Sequence, residues 1–294
     1  MTLGALTSKV AGLAVVALLA LTGCQAAPSG PPNDVSVSVY QTRSDGPIRQ
    51  VQVQVSNLSA ESLTVVGLRL DSTRFVEAAH FDKPERVPPN SAVVPAGATR
   101  DLPLRLPAAS CDGTPATDVV SFDFEWSDGR RGSAEVAITD TEVLEQLTAA
   151  DCFTQAVTNI VTLTPPSKAE WMPGARSPAT LTIGATPTGA EGRLTIESIG
   201  TTTLLAPVLA SGAAVAAAPF DIAVDALLPP ATIELRVQPA RCDPHAIAED
   251  KKGTILPLTI TVEGGETGVF SLPVSDEVRG SLYDFVTDWC GAQH

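Results

Sequence analysis

The stretch Ser121-Phe-Asp-Phe-Glu-Trp-Ser-Asp-Gly-Arg-Arg-Gly-Ser-Ala-Glu-Val-Ala-Ile138 places Phe122, Phe124 and Trp126 at every second position, with Asp123 and Glu125 between them. A period of two turns alternate side chains to opposite faces, so this segment reads as a strand with one apolar and one wet face. Ser127-Asp128-Gly129 is a turn in which glycine supplies the positive φ of a tight connection, and Ser133 to Ile138 returns as the second strand. The same reading applies at Leu256-Pro-Leu-Thr-Ile-Thr-Val262, which turns at Gly264-Gly265 and returns as Val269-Phe-Ser-Leu-Pro-Val274.

The two hairpins have matching surroundings. Before each stand a turn, an alternating strand, a proline and a Cys-Asp pair: Pro95 to Ser110 precedes Cys111, and Leu228 to Arg241 precedes Cys242. After each hairpin an aspartate, Asp140 or Asp276, lies 11 residues from the turn glycine (140−129 and 276−265). Thr141 to Leu147 and Glu277 to Val286 then carry apolar residues three and four apart, with a capping-type residue ahead and acids in the first turn, which predicts helices. Each predicted helix runs to a second cysteine, Cys152 or Cys290. Further upstream, Val51 to Val65 aligns with Arg193 to Leu205, and Val35 to Tyr40 and Val157 to Leu163 are candidate first strands. The order of elements occurs twice, and we read the chain as a duplication.

Four cysteines allow three pairings. The repeat selects Cys111 with Cys152 and Cys242 with Cys290, because each copy carries its own pair in the same places. In the loop-entropy account, closing loops of this size stabilises by about 4 kcal/mol each. Free metal-binding thiols are the rival reading, and no CxxC or adjacent histidine supports it.

Short strands at regular spacing with glycine and proline between them predict a mainly β protein: two tandem antiparallel β-sandwich modules, each ending in a short α-helix. The stretch Val53 to Leu63 resembles a strand–turn–strand of immunoglobulin-like modules in bacterial surface proteins. The antibody arrangement of Cys, Trp and Cys is not followed, since Val262 takes in the second copy the place Trp126 has in the first. The expected boundaries are residues 34–152 and 153–294, with Cys152 followed at once by the second module. Pro165 to Gly174 interrupts that module as a proline-rich segment.

The N-terminus carries an address. Lys9 is the one charge before an apolar run of 12 residues, Val10 to Leu21. A membrane-spanning helix needs about 20 residues, so residues 1–23 read as a signal peptide. Leu21-Thr22-Gly23-Cys24 resembles the lipobox of bacterial lipoprotein precursors. That resemblance implies cleavage before Cys24 and lipidation of its thiol, attaching the protein to the extracytoplasmic face of the cell membrane. Residues 24–33, with three prolines, form the expected tether.

The formal net charge is −14, and loss of Lys9 with the signal makes it −15. Such a body does not suit nucleic acid or an anionic lipid surface, so attachment rests on the acyl group. The histidines are His80, His245 and the terminal His294, and no nucleophile, phosphate-loop or metalloprotease motif occurs. Asp123, Glu125 and Asp128 crowd one hairpin without calcium-loop spacing. No metal, cofactor or catalytic residue is expected. Trp171, in a proline-bounded loop, is the candidate anchor for a partner, the alternative being that it caps a crevice between modules; Trp289 is expected to pack on the disulfide. The expected function is a non-catalytic module contacting an envelope protein or wall component. An accessory ligand-binding lipoprotein serving a transporter is the alternative, and a hydrolase using paired carboxylates ranks below it.

Overall fold

The computed structural model describes residues 31–32, 34–83, 85–243, 250 and 255–291. The predicted signal segment, Cys24, most of the tether, His245 and His294 lie outside the described residues.

The first half begins with β1 (Val35–Tyr40), β2 (Gln50–Asn57), β3 (Leu63–Ser72), β4 (Ala79–His80) and β5 (Ser91–Val94). It continues with β6 (Thr99–Arg105), β7 (Asp118–Trp126) and β8 (Arg131–Ala137). These strands form two antiparallel sheets, β1-β2-β6 and β4-β3-β7-β8, with β5 also on β3. The core between them follows from strand period: Val51, Val53 and Val55 of β2 are fully buried, as are Leu63 and Leu70 of β3. Each such side chain withdraws enough apolar surface to stabilise by about 1.5–3 kcal/mol.

Helix α1 (Glu142–Ile160) leads into the second half. There β9 (Val161–Thr164), β10 (Ala169–Glu170), β11 (Ala179–Pro187), β12 (Arg193–Gly200) and β13 (Leu205–Pro207) come first. Strands β14 (Ala217–Asp225), β15 (Ala231–Pro239), β16 (Ile255–Val262) and β17 (Thr267–Pro273) follow, and helix α2 (Asp276–Gly291) ends the described chain. Again two antiparallel sheets face each other, β10-β11-β15-β13 with β9 on β11, and β14-β12-β16-β17. The two halves have separate cores, one running from Val35 to Leu144 and the other from Val157 to Val286.

The duplication extends to details. Trp126 N–H donates to Arg130 O and Gly129 N–H to Trp126 O; Val262 N–H donates to Glu266 O and Gly265 N–H to Val262 O. Strands β3 and β12 each break register once, between Val66 and Arg69 and between Ile196 and Ser198. Where β14 runs along β12 as one strand, the first module uses two short strands, β5 and β4, on either side of the break in β3. Residues 81–83 and 85–90 lie between them, closed by Asn90, whose Oδ1 accepts from Lys83 N–H at 2.8 Å.

Gly132 and Gly268 occupy equivalent positions, eight residues before Asp140 and Asp276 (140−132 and 276−268). Both lie under an aromatic ring. A Cβ on Gly132 would sit 2.6 Å from Phe124 Cζ, and one on Gly268 would sit 2.9 Å from the Phe153 ring. In the first module the ring is the cross-strand neighbour; in the second it comes from α1.

Three expectations need correction. Val157 to Ile160 is helix, not strand, and β9 begins only at Val161. The reason is spacing: Phe153, Val157 and Ile160 recur at helical intervals, and the last two are buried in the second core. The segment from Arg193 corresponds to β3 rather than to the strand from Val51, because β12 pairs β14 and β16 as β3 pairs β5 and β7. The counterpart of β2 is β11, which pairs β15 as β2 pairs β6. Finally, the proline-rich segment contains β10, which pairs with Leu181 and Thr180, so it is part of the sheet edge. Both predicted disulfides, Cys111–Cys152 and Cys242–Cys290, are formed.

Candidate binding surface at Trp171

Strand β10 delivers Trp171 to the flank of α2, where its ring centroid lies 5.7 Å from that of Phe285. Phe285 is buried and meets Trp289 edge-on at 5.9 Å, so the three aromatics form a continuous series along the helix. The chain after Trp171 crosses α2 and is fixed there. Gly174 N–H donates to Asp288 Oδ2 at 2.9 Å, with Gly174 at φ 74°, a conformation that glycine adopts without strain. The Arg176 guanidinium stands 5.9 Å over the Trp289 ring, a cation–π contact. Cys290, the next residue, is tied to Cys242. Trp171 therefore packs within the second module, and Trp289 sits beside the disulfide.

Trp171 is half-buried, and its Nε1 is buried without a hydrogen-bond acceptor. Beside it lies a shallow, open depression of about 350 Å³ lined by Lys168, Ala169, Glu170, Trp171 and Pro173. Lys168 Nζ and Glu170 Oε1 pair at 2.8 Å across its rim, and the pairing holds the Lys168 ammonium above its ordinary range. Met172 is 69% exposed at the edge of the same loop. A fixed aromatic flanked by proline, methionine and a charged pair offers contact area at low entropic cost. Sequence reading singled out Trp171 but not Arg176, Asp288 or Phe285 as its supports. Asp288 is 114 residues from Gly174, and no local pattern signals such a contact.

Several other polar clusters among the described residues are occupied by their own partners. Arg74 gathers two carboxylates, Asp118 Oδ2 at 3.0 Å and Glu145 Oε1 at 3.1 Å, and Ser72 Oγ donates to Asp118 Oδ1. The Thr141 hydroxyl first, opposed by burial and aided by Arg74, holds Glu145 below the ordinary carboxylate range. A general acid needs the opposite shift. Asp45 is 3% exposed and accepts from Thr42 N–H and Oγ1 and from the amides of Gln50 and Gln52. Burial would raise it, but together these hydrogen bonds prevail and lower it. Asp123 accepts from Ser133, Glu125 pairs with Arg131 and Asp128 with Arg130, so the three acids of the hairpin point to three separate partners. His80 is exposed in β4 opposite Arg69. Among the described residues no group of three or more His, Cys, Asp or Glu side chains is placed to hold a metal ion.

No protein-family model and no curated protein matches this chain. Among solved structures it is similar to the red sea bream transglutaminase at 13% identity, covering 84% of this chain and 32% of that one, with TM-score 0.23. It is similar to the YadV chaperone at 12% identity, covering 82% of this chain and 100% of that one, with TM-score 0.22. The BSP domain of a biofilm associated protein has 7% identity, 86% and 62% coverage, and TM-score 0.26. The chain spans about a third of the transglutaminase. Likeness at this level carries nothing about activity. The class stands on the strands themselves: a mainly β protein of paired, disulfide-bonded antiparallel sandwiches.

Proposed function

We propose that this chain is a lipid-anchored extracytoplasmic protein, attached through Cys24, that acts as a non-catalytic binding or structural module. Its partner is another envelope protein or a wall component, engaged at the surface around Trp171. The observation that carries the reading is the bracing of Trp171 by Phe285 while Met172 and Pro173 stand at the surface beside it. An aromatic held in place at the surface loses little freedom on binding. The lipobox supplies the address, and the acidic body leaves the acyl group as the means of attachment.

The test is capture from solubilised native envelope on residues 34–294 with both disulfides formed, beside Trp171→Ala and Met172→Glu. Met172 is largely exposed, so its substitution alters the surface without touching the core. A partner retained by the wild type and lost by both variants supports the reading. Retention by both variants removes this surface from it. Attachment is checked separately: Cys24→Ser is expected to abolish incorporation of labelled palmitate and to release the protein from the membrane fraction.

A further inference from the structure

Helix α1 is divided between two bodies. Its closest backbone neighbours are β9, β12, β16 and β17, all of the second module. Phe153 covers Gly268, and Val157 and Ile160 are buried in the second core. On the first module's side the helix is held by less. Leu144 is its one fully buried apolar anchor there, with Val143 and Leu147 partly covered. Two arginines reach it, Arg74 to Glu145 and Arg49 to Asp151, both near its exposed side.

The covalent tie falls where the helix passes from one body to the other. Cys152 is bonded to Cys111, and the next residue is Phe153. Cys111 is itself a fixed point on the first module. Ser110 N–H donates to Arg74 O at 2.7 Å, Val76 N–H donates to Ala108 O at 3.0 Å, and Phe75 bridges Ala109. The bridge thus joins a strapped loop of one module to a helix that packs on the other. Cys242–Cys290 differs, since Cys290 lies in α2, which buries Val278, Leu282, Phe285 and Val286 in the second core alone.

We propose that Cys111–Cys152 is an inter-module latch: it fixes the angle between the two sandwiches by holding α1 on the first. Cys242–Cys290 is a staple within one module. Cys111 is exposed and Cys152 half-buried, so the bridge lies at the surface. Reduction takes two electrons from a dithiol, which closes to its own disulfide, and leaves protonated thiols at Cys111 and Cys152. The first module then keeps its core, while α1 and the second module gain freedom to swing.

The experiment places spin labels on non-natural side chains at Glu135 in β8 and Glu234 in β15, both exposed, and measures their separation by pulsed electron resonance. The oxidised chain is expected to give one narrow distance distribution. Cys111→Ser with Cys152→Ser is expected to add a wide component, and Cys242→Ser with Cys290→Ser to leave the distribution narrow. Equal widths in all three, or widening in the second pair only, overturn the proposal. Trp126 lies in the first core and reports that module's integrity. If the Cys111 and Cys152 variant, or dithiol treatment of the folded chain, exposes Trp126 to solvent, the bridge is a staple of the first module and the latch is refuted.

Discussion

Helices α1 and α2 hold the same place in the two copies and are secured in different ways. Helix α2 starts on Ser275, whose Oγ accepts from Val278 N–H, and buries four apolar residues in its own module. Helix α1 has no such side-chain cap, because the Thr141 hydroxyl donates to Glu145 instead. Its buried positions are split, Leu144 toward the first core and Val157 and Ile160 toward the second. The difference shows how a duplicated unit becomes a pair: the terminal helix of the first copy is lengthened until its far end serves as packing for the next.

The turns after β2 and β11 show the same division. Asn57 closes the first, donating to Glu61 O and Val94 O and accepting from Ser59. Thr188 closes the second, its N–H donating to Ile160 O and its hydroxyl to Asn159 O, at the end of α1. The first module closes on itself and the second closes on the helix it shares.

The contrast between helices is sharpened most by truncating their anchors. Phe285→Ala is expected to cost about 3–5 kcal/mol, and Leu144→Ala about 2–5 kcal/mol, each measured by denaturant unfolding. The first is expected to affect the transition of the second module and the second to affect the first module's Trp126 signal. Next in size are the paired glycines. Gly132→Ala forces a Cβ against Phe124 and is expected to cost about 1–3 kcal/mol in the first module. Gly268→Ala is expected to cost a similar amount but also to loosen α1, read as faster amide exchange in residues 153–160. If Gly268→Ala leaves that exchange unchanged, the helix is not docked through Phe153.

Asn57→Ala is expected to cost about 1–3 kcal/mol, since it leaves buried carbonyls without donors, and to act on the first module only. The smallest effect is that of Asp45. Its folded carboxyl titrates below the ordinary value of 3.8, so its contribution to stability is complete above that pH and is lost as pH falls through the folded value. Asp45→Asn is expected to flatten the acid limb of the first module's stability profile below about pH 4. An unchanged limb would mean that the hydrogen bonds from Thr42, Gln50 and Gln52 do not favour the ionised form.

What the sequence made legible was what alternated with large side chains. The hairpins around Gly129 and Gly264 read directly because Phe, Trp, Leu and Ile marked every second position. Strand β11 alternates equally well, yet two of its four inward residues are Ala179 and Ala185, and Gly184 sits between them. Small residues give little hydrophobic contrast, and a Cβ at Gly184 would sit tightly against Thr164 Cβ, at 3.2 Å. Val157 to Leu163 misled for the opposite reason. Its β-branched residues favour a strand locally, and burial of Val157 and Ile160 in the second core, assembled from distant strands, lets their helical spacing prevail. Trp171 stood out as an unusual residue in its loop, whereas the surface it joins depended on α2 more than a hundred residues later.

The shared helix is tested most directly by native-state hydrogen exchange along α1 in mild denaturant. A division near Cys152 is expected: amides of residues 153–160 exchange with the strands of the second module, and those of residues 145–150 with the strands of the first. Exchange of the whole helix with one module alone would contradict it.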